Sequence, residues 1–321
     1  MLKNILVPLD GCSRAERALP AAARIARASK GRVLLVQVIS PPLDYASSMA
    51  PVPLVTRELI EAELKEAENY LKAVAASEVL SGVETKTEAL YGLPTQQLLA
   101  VAQQYAVDLI VLCSHGRTGL TRWVLGSVAY TLTHESTLPV LVLRQTGTEL
   151  CSPLPDTCGR LTRAFVSLDG SELAEAVLEP TMDLVLALSA PAPAAIHLMQ
   201  VVKVFPASEA QGRLSELNEQ KIGRARAYLA TVKAHLQQHH PEAFLAITCS
   251  VGLDNDVAGA LIETAEARSE ESVPGEARGC DLIAMSTHGR GGIQRWMVGS
   301  ITERVLKGTH LPMLIVRPRP R

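Results

Sequence analysis

The sequence predicts an α/β protein made of two tandem, doubly wound domains, in which helices cover both faces of a parallel β-sheet. Short, almost wholly apolar runs such as 4–9 (NILVPL) and 33–39 (VLLVQVI) alternate with stretches of helical spacing. Strands that are apolar on both faces are typical of parallel sheets buried between helices. The same order of elements occurs twice in 321 residues, a length that by itself favours two domains.

In the first copy, the helix after 4–9 carries a capping-box pattern, Ser13 with Glu16 three positions later. Pro20 is expected to kink this helix or to end its first segment. The later predicted elements are a helix at about 56–79, a helix after Pro94, a strand at 108–114, a helix at about 127–136 and a strand at 139–144.

The second copy repeats these elements in order. Its counterparts to the strands and the first helix are 163–180, 196–204, 280–286 and 312–317. Between 114–144 and 287–317, 12 of 31 positions are identical, which indicates an internal duplication. We therefore predict domains at 1–145 and 161–321 with a linker at 146–160, and a mobile charged insertion at about 267–279.

The composition limits the class of protein. With 47% hydrophobic and 20% charged residues, the chain is expected to be soluble and globular. The net charge of −2 provides no basic field for nucleic acid. No signal peptide or membrane span is evident, so we expect a cytoplasmic protein without membrane insertion, whose six cysteines are reduced thiols.

Polar residues follow the predicted strands, where open parallel sheets bind their ligands. Asp10 and Asp169 end the first strand of each copy in the string L-D-G. Later in each copy a Gly-Ser pair, Gly126-Ser127 or Gly299-Ser300, begins a helix. Glycine admits a phosphate close to the backbone, and a helix N-terminus favours anions. These features predict an anion-binding loop in each copy.

The loop is not a standard one, because the chain has neither a Walker lysine motif nor G-x-G-x-x-G after the first strand. The arrangement G-x9-G-S after a D-L-I strand, together with L-D-G, resembles the universal stress protein family over nearly the whole chain. The family pattern is G-x2-G-x9-G-[ST]. Its second and third glycines correspond to Gly116 and Gly126, and to Gly289 and Gly299.

This resemblance implies, for each domain, a five-stranded parallel sheet of order 3-2-1-4-5 and a site for ATP, with Mg²⁺ dependence left open. It implies ribose or adenine contacts by the aspartates, adenine contacts at the end of the second strand, and phosphate contacts by the loop. The implied site residues of the first copy are Pro8, Leu9, Asp10, Val38, Cys113, His115, Gly116, Arg117, Gly126, Ser127 and Val128. Those of the second copy are Ser167, Leu168, Asp169, Val201, Ser286, His288, Gly289, Arg290, Gly299, Ser300 and Ile301.

The chain departs from the family pattern at the first glycine, which is Cys113 in one copy and Ser286 in the other. A backbone conformation reserved for glycine at this point would weaken nucleotide binding. Other roles for the site residues stay open. The two aspartates could serve as plain helix N-caps, and His115 and His288 could bond to the loop backbone instead of a nucleotide.

The predicted function is an ATP-binding stress-response protein that senses or stores the nucleotide without rapid turnover. Fast hydrolysis calls for a cationic finger, Mg²⁺ carboxylates and a water-positioning group, of which only Asp10 and Asp169 are candidates. The alternatives are an adenylyl-transfer enzyme, whose signature motifs are missing here, and a nucleotide-free interaction scaffold. The last strands, 139–144 and 312–317, are expected to pair within the chain, which is compatible with nucleotide binding. A homodimer is a separate expectation.

Overall fold

The computed structural model describes residues 2–40, 57–114, 125–144, 162–203, 211–239, 245–267, 279–288 and 298–318. The chain divides into two compact units. The described part of unit 1 ends at residue 144 and that of unit 2 begins at residue 162. The predicted linker 146–160 and the core of the predicted insertion, 268–278, lie outside the described residues.

Unit 1 contains five strands, five α-helices and a 3₁₀ helix (Glu78–Leu80) in its described part. The strands are β1 (Asn4–Leu9), β2 (Arg32–Ile39), β3 (Glu84–Tyr91), β4 (Leu109–Cys113) and β5 (Val140–Leu143). The helices are α1 (Ser13–Glu16), α2 (Leu19–Ser29), α3 (Arg57–Ala75), α4 (Pro94–Gln104) and α5 (Ser127–Glu135). The strands are parallel, in the order β3-β2-β1-β4-β5.

Unit 2 has the same arrangement in its described part. Its strands are β6 (Arg163–Ser167), β7 (Ala194–Val202), β8 (Leu245–Leu253), β9 (Leu282–Ser286) and β10 (Met313–Val316). Its helices are α6 (Glu172–Glu175), α7 (Leu178–Ser189), α8 (Gln211–His239), α9 (Val257–Glu266) and α10 (Ser300–Gly308). The parallel order β8-β7-β6-β9-β10 matches that of unit 1, so the predicted fold class is confirmed.

The central strands form the core of each unit because they are apolar on both faces. Ile5, Leu35 and Ile110 are fully buried in unit 1, and Phe165 is fully buried in unit 2. Helices α3 and α8 pack against the two strands at the β3 or β8 side of their sheets. In both sheets the strand order reverses beside the first strand, between β1 and β4 and between β6 and β9. This is the position where doubly wound folds form a ligand crevice.

The predicted capping box at Ser13 is wrong. Cys12 is the N-cap of α1, and it makes no side-chain capping bond. The Glu16 carboxylate instead accepts a hydrogen bond from the Tyr70 hydroxyl at 2.9 Å, which ties α1 to α3. Pro20 behaves as predicted: the helix is interrupted after Glu16, and Pro20 lies in the first turn of the next segment, where its missing N–H costs no helical bond.

Candidate functional site

A cavity of about 1110 Å³ opens at the carboxyl edge of the sheet in unit 2. It lies beside the reversal of strand order and extends to the N-terminus of α10. Every predicted site residue of the second copy that the structure describes lines it. They are Ser167, Leu168, Asp169, Val201, Ser286, His288, Gly299, Ser300 and Ile301. Gly289 and Arg290 lie outside the described residues.

The corresponding residues of unit 1 hold equivalent places in its fold. Pro8 and Leu9 end β1, Val38 is in β2 and Cys113 ends β4. Gly126 is the N-cap of α5, and Ser127 and Val128 are the first two residues of that helix. His115, Gly116 and Arg117 lie outside the described residues. The structure therefore brings the strand-end residues and the helix start to one edge of each sheet.

Asp10 and Asp169 organise the turn that leaves the first strand. Gly11 and Gly170 follow them with φ of 80° and 84°, a left-handed conformation that strongly favours glycine. The turn brings each carboxylate back over the chain, so Asp10 Oδ1 accepts from the backbone N–H of Cys12 at 3.1 Å. Neither aspartate is itself an N-cap, since Cys12 and Ser171 hold those positions.

In unit 2 the same turn has one more bond. Asp169 Oδ1 accepts from both the backbone N–H of Ser171, at 2.9 Å, and its hydroxyl, at 2.6 Å. The Ser171 hydroxyl oxygen in turn accepts from the N–H of Ala174, which caps α6. This chain of hydrogen bonds fixes the Asp169 side chain at the cavity wall.

Gln200 is a cavity residue that the sequence-based prediction did not include. Its side chain is 7% exposed, and its Nε2 donates to the backbone carbonyl of Asp169 at 3.2 Å. Its Oε1 is buried and has no hydrogen-bond partner among the residues that the structure describes. Gln37, its counterpart in unit 1, also has a buried Oε1 without a partner. The signal was present in the sequence as a glutamine inside an otherwise mostly apolar strand in both copies.

The start of α10 forms the opposite side of the cavity. The N-cap residue, Gly299, has no side chain to cap the helix, and its own N–H donates to the Thr287 carbonyl at 2.7 Å. A Cβ at this position would lie 3.2 Å from that carbonyl oxygen, closer than usual. Gly126 makes the same bond to the Ser114 carbonyl in unit 1. Both glycines therefore keep the helix start close to the preceding strand.

The residues that replace the first family glycine are compatible with their backbone. Cys113 and Ser286 are the last residues of β4 and β9, in ordinary strand conformation without a positive φ. The Ser286 carbonyl accepts from the Thr302 hydroxyl at 2.9 Å, which joins β9 to α10. Burial raises the pKa of Cys113 to about 12, an effect that Arg17 partly offsets. No glycine-specific conformation is required at either position.

His288 and the cavity cations complete the wall. The Nδ1 atom of His288 lies 2.8 Å from the Thr287 hydroxyl, so the described bond joins it to a neighbouring side chain. Lys203 after β7, and Lys221 and Arg224 of α8, also line the cavity, and none was predicted. Across the described ranges, no group of three or more His, Cys, Asp or Glu side chains is arranged to hold a metal ion.

The fold and this cavity define a tandem, doubly wound α/β protein with a crevice at the carboxyl edge of the sheet in unit 2. Residues 1–144 and 162–317 each match the sequence model of the Universal stress protein family. These two matches cover most of the chain, which therefore belongs to the universal stress protein family. The family resemblance inferred from the sequence is confirmed.

Known relatives agree with the tandem arrangement. Universal stress protein YxiE of Bacillus subtilis is 30% identical over 149 residues, which are 45% of this chain and 100% of that protein. A universal stress protein of Mycolicibacterium smegmatis is 24% identical over 326 residues, covering 98% of this chain and 97% of its own. The crystal structure of a universal stress protein from Archaeoglobus fulgidus has a TM-score of 0.63 at 17% identity and covers 98% of both chains, which shows the shared fold.

In the part of the chain that the structure describes, no helix is both long and apolar enough to cross a membrane.

Proposed function

We propose that this chain binds an adenine nucleotide, ATP above all, in the cavity of unit 2, as a sensor or store that does not turn the nucleotide over rapidly. One observation carries the proposal. A single cavity combines an apolar wall, a buried hydrogen-bond acceptor without a partner and an uncapped helix N-terminus. A nucleotide needs these three environments for its base, its amino or hydroxyl donors and its phosphates.

The acceptor is Gln200 Oε1. Because Nε2 of the same amide donates to the Asp169 carbonyl, the oxygen is the atom left for a ligand. A buried acceptor without a partner destabilises the empty protein, and a ligand N–H or O–H donor removes that cost. The adenine amino group and the ribose hydroxyls are donors of this kind. Where the donor is the adenine amino group, guanine offers a carbonyl at the same position and fits less well.

The phosphate end is the first turn of α10. This helix has nine residues, and its first N–H groups have no intrahelical acceptor. The absence of a side chain at Gly299 leaves these groups accessible, and the helix dipole adds a partial positive charge. The exposed Ser300 supplies a hydroxyl beside them. The cavity volume of about 1110 Å³ is sufficient for a nucleoside triphosphate.

The proposal of binding without rapid turnover rests on the Asp169 carboxylate. Its Oδ1 already accepts two hydrogen bonds from Ser171, so it is held as part of the turn. Rapid phosphoryl transfer requires groups that position water and metal around the γ-phosphate. We therefore expect any hydrolysis to be slow compared with release of the nucleotide.

The test is binding of ATP to the full chain by calorimetry, with mass spectrometry of any ligand released from the purified protein. Gly299→Val should lower ATP affinity about tenfold or more, because its Cβ would lie 3.2 Å from the Thr287 carbonyl oxygen and displace the helix start proposed to hold phosphate. Gly223→Val is the matched control, since a Cβ at that position of α8 meets nothing within 4 Å. Absence of ATP binding by the wild type would leave the nucleotide-free scaffold as the function of this fold.

A further inference from the structure

The two units differ in charge where helix α8 or α3 faces the site. Tyr228 of α8 donates to Glu175 at 2.9 Å, as Tyr70 of α3 donates to Glu16 at 2.9 Å, which fixes the equivalence of the two helices. The buried residues agree with this alignment, because Ala225 and Leu229 occupy the places of Ala67 and Leu71.

This equivalence pairs residues of opposite charge. Lys221 and Arg224, which line the cavity of unit 2, correspond to Glu63 and Glu66 in unit 1. In unit 1 Leu9 lies opposite Gln37, and in unit 2 the N–H of Leu168 donates to the carbonyl of Met199, next to Gln200. This strand alignment pairs Gln200 with Gln37. It therefore pairs Lys203 with Ser40, three positions further along the chain in each unit. Three cations at these positions of unit 2 therefore correspond to two carboxylates and a hydroxyl in unit 1.

All three cations, Lys203, Lys221 and Arg224, line the same cavity. Lys221 Nζ donates to the backbone carbonyl of Lys203 at 3.3 Å, so the end of β7 and helix α8 meet at the cavity. Arg224 lies nearly one turn further along the same face of α8 and lines the same cavity. Charges within about one Debye length, roughly 8 Å at physiological salt, add to the potential that a bound ligand experiences.

Other cations also lie near the sites. The loop arginines are the same in both copies by sequence, Arg117 with Arg290 and Arg122 with Arg295. Unit 1 has Arg14 and Arg17 on α1, at positions occupied by Leu173 and Ala176 in unit 2. In unit 2, Ala174 of α6 lines the cavity, whereas Leu173 and Ala176 do not. Arg17 is close enough to Cys113 to influence the pKa of its thiol, so it adds positive charge at the strand end of unit 1. The contrast in charge is therefore confined to the α3 and α8 sides of the two sites.

We propose that the two sites are unequal, with unit 2 as the high-affinity site for a nucleoside polyphosphate and unit 1 disfavouring such anions through Glu63 and Glu66. The inference rests on the proposed function and extends it to the charge of the ligand. Calorimetric titration of the full chain with ATP in low-salt buffer containing EDTA should then show one tight site per chain. Any second site should be weaker by about tenfold or more.

Matched charge changes test the assignment. Arg224→Glu should weaken the tight site about tenfold, more for ATP than for AMP, and the effect should shrink at high salt. Arg226→Glu makes the same change two positions away on α8, at an exposed residue that does not line the cavity, and should have a much smaller effect. Glu63→Lys with Glu66→Arg should strengthen binding at the second site.

The outcomes separate the two proposals. Two sites of equal ATP affinity, or equal effects of Arg224→Glu and Arg226→Glu, would overturn the inequality and leave nucleotide binding standing. Failure of ATP to bind any form of the chain would overturn the proposed function itself. If a substitution on α8 prevents folding, the unit 1 variant, Glu63→Lys with Glu66→Arg, still tests the proposal. Stronger ATP binding by that variant requires a folded protein.

Discussion

Gln200 Nε2 donates to the backbone carbonyl of Asp169 at 3.2 Å, and this bond leaves the amide oxygen of Gln200 buried without a partner. Gln200 lies within β7, Asp169 follows the neighbouring strand β6, and both line the cavity of unit 2. The Gln200 side chain is therefore held at the cavity wall by its bond to Asp169.

Gln200→Met should separate ligand recognition from stability. The change keeps a similar volume but removes the acceptor, so we expect ATP affinity to fall about tenfold. The thermal unfolding midpoint without ligand should change little, because two effects oppose each other. The variant loses the stabilising bond to Asp169, and it also loses a buried oxygen whose missing partner destabilises the protein. Gln37→Met in unit 1 is the matched control and should leave the tight ATP site unaffected. A large loss of stability with unchanged ATP affinity would assign Gln200 a structural role only.

Tyr228→Phe should destabilise unit 2 by about 1 kcal/mol, because it removes the bond to Glu175 that joins α8 to α6. We expect its unfolding midpoint to fall by about 2–4 °C in calorimetry. Tyr70→Phe should have the same effect on unit 1, where the bond to Glu16 is equivalent. Tyr130→Phe, at a side chain that is 40% exposed, controls for removal of a hydroxyl. Equal midpoints for all three variants and the wild type would contradict the prediction.

His197 should make unit 2 sensitive to acid. Its ring lies between the Thr248 and Ser250 hydroxyls, and burial, helped by Arg163, lowers its pKa below the ordinary value of 6.5. The unfolded chain therefore binds a proton at a higher pH than the folded chain does. The contribution of His197 to the free energy of unfolding is present above pH 6.5 and is lost as the pH falls through the folded pKa.

Unfolding midpoints at about pH 7.5 and about pH 5 measure this contribution. The wild type should lose more stability between these conditions than His197→Gln, which has no proton to gain. An equal loss in the two proteins would show that other groups cause the acid sensitivity.

The Cys113 thiol should react slowly with alkylating reagents, although Cys113 is the last residue of β4. Its pKa of about 12, against an ordinary value of 9.0, reduces the thiolate fraction at about pH 8 roughly a thousandfold. Alkylation by iodoacetamide, followed by peptide mass spectrometry, should therefore label the exposed Cys249 well before Cys113. Labelling of Cys113 first would contradict the burial of its sulfur.

The sequence was sufficient to predict the central strands, because buried parallel strands are continuous apolar runs. The predicted run 4–9 is β1 with the same bounds, and 33–39 differs from β2 by one residue. Strands β3 and β8 were not located from the residues. They lie at one side of each unit's sheet, and β3, with the sequence ETKTEALY, is too polar to resemble a buried strand.

The residues that line the cavity of unit 2 were predicted where local motifs define them and missed where tertiary packing defines them. Asp169 and Gly299 follow from their places beside a strand end and a helix start. Lys221 and Arg224 reach the cavity only because α8 packs across β7 and β8, a relationship that helical periodicity alone does not give. Their significance also required the alignment of α8 with α3, which the sequence-based prediction did not include. The predicted pairing of the last strands stays a prediction.

A crystal structure of the full chain grown with ATP tests the central claim most directly. We predict a nucleotide in the cavity of unit 2, with its phosphates at the first amides of α10 and a donor of its base or ribose within hydrogen-bond distance of Gln200 Oε1. A nucleotide bound elsewhere on the chain, or an empty cavity in crystals grown at saturating ATP, would contradict the claim.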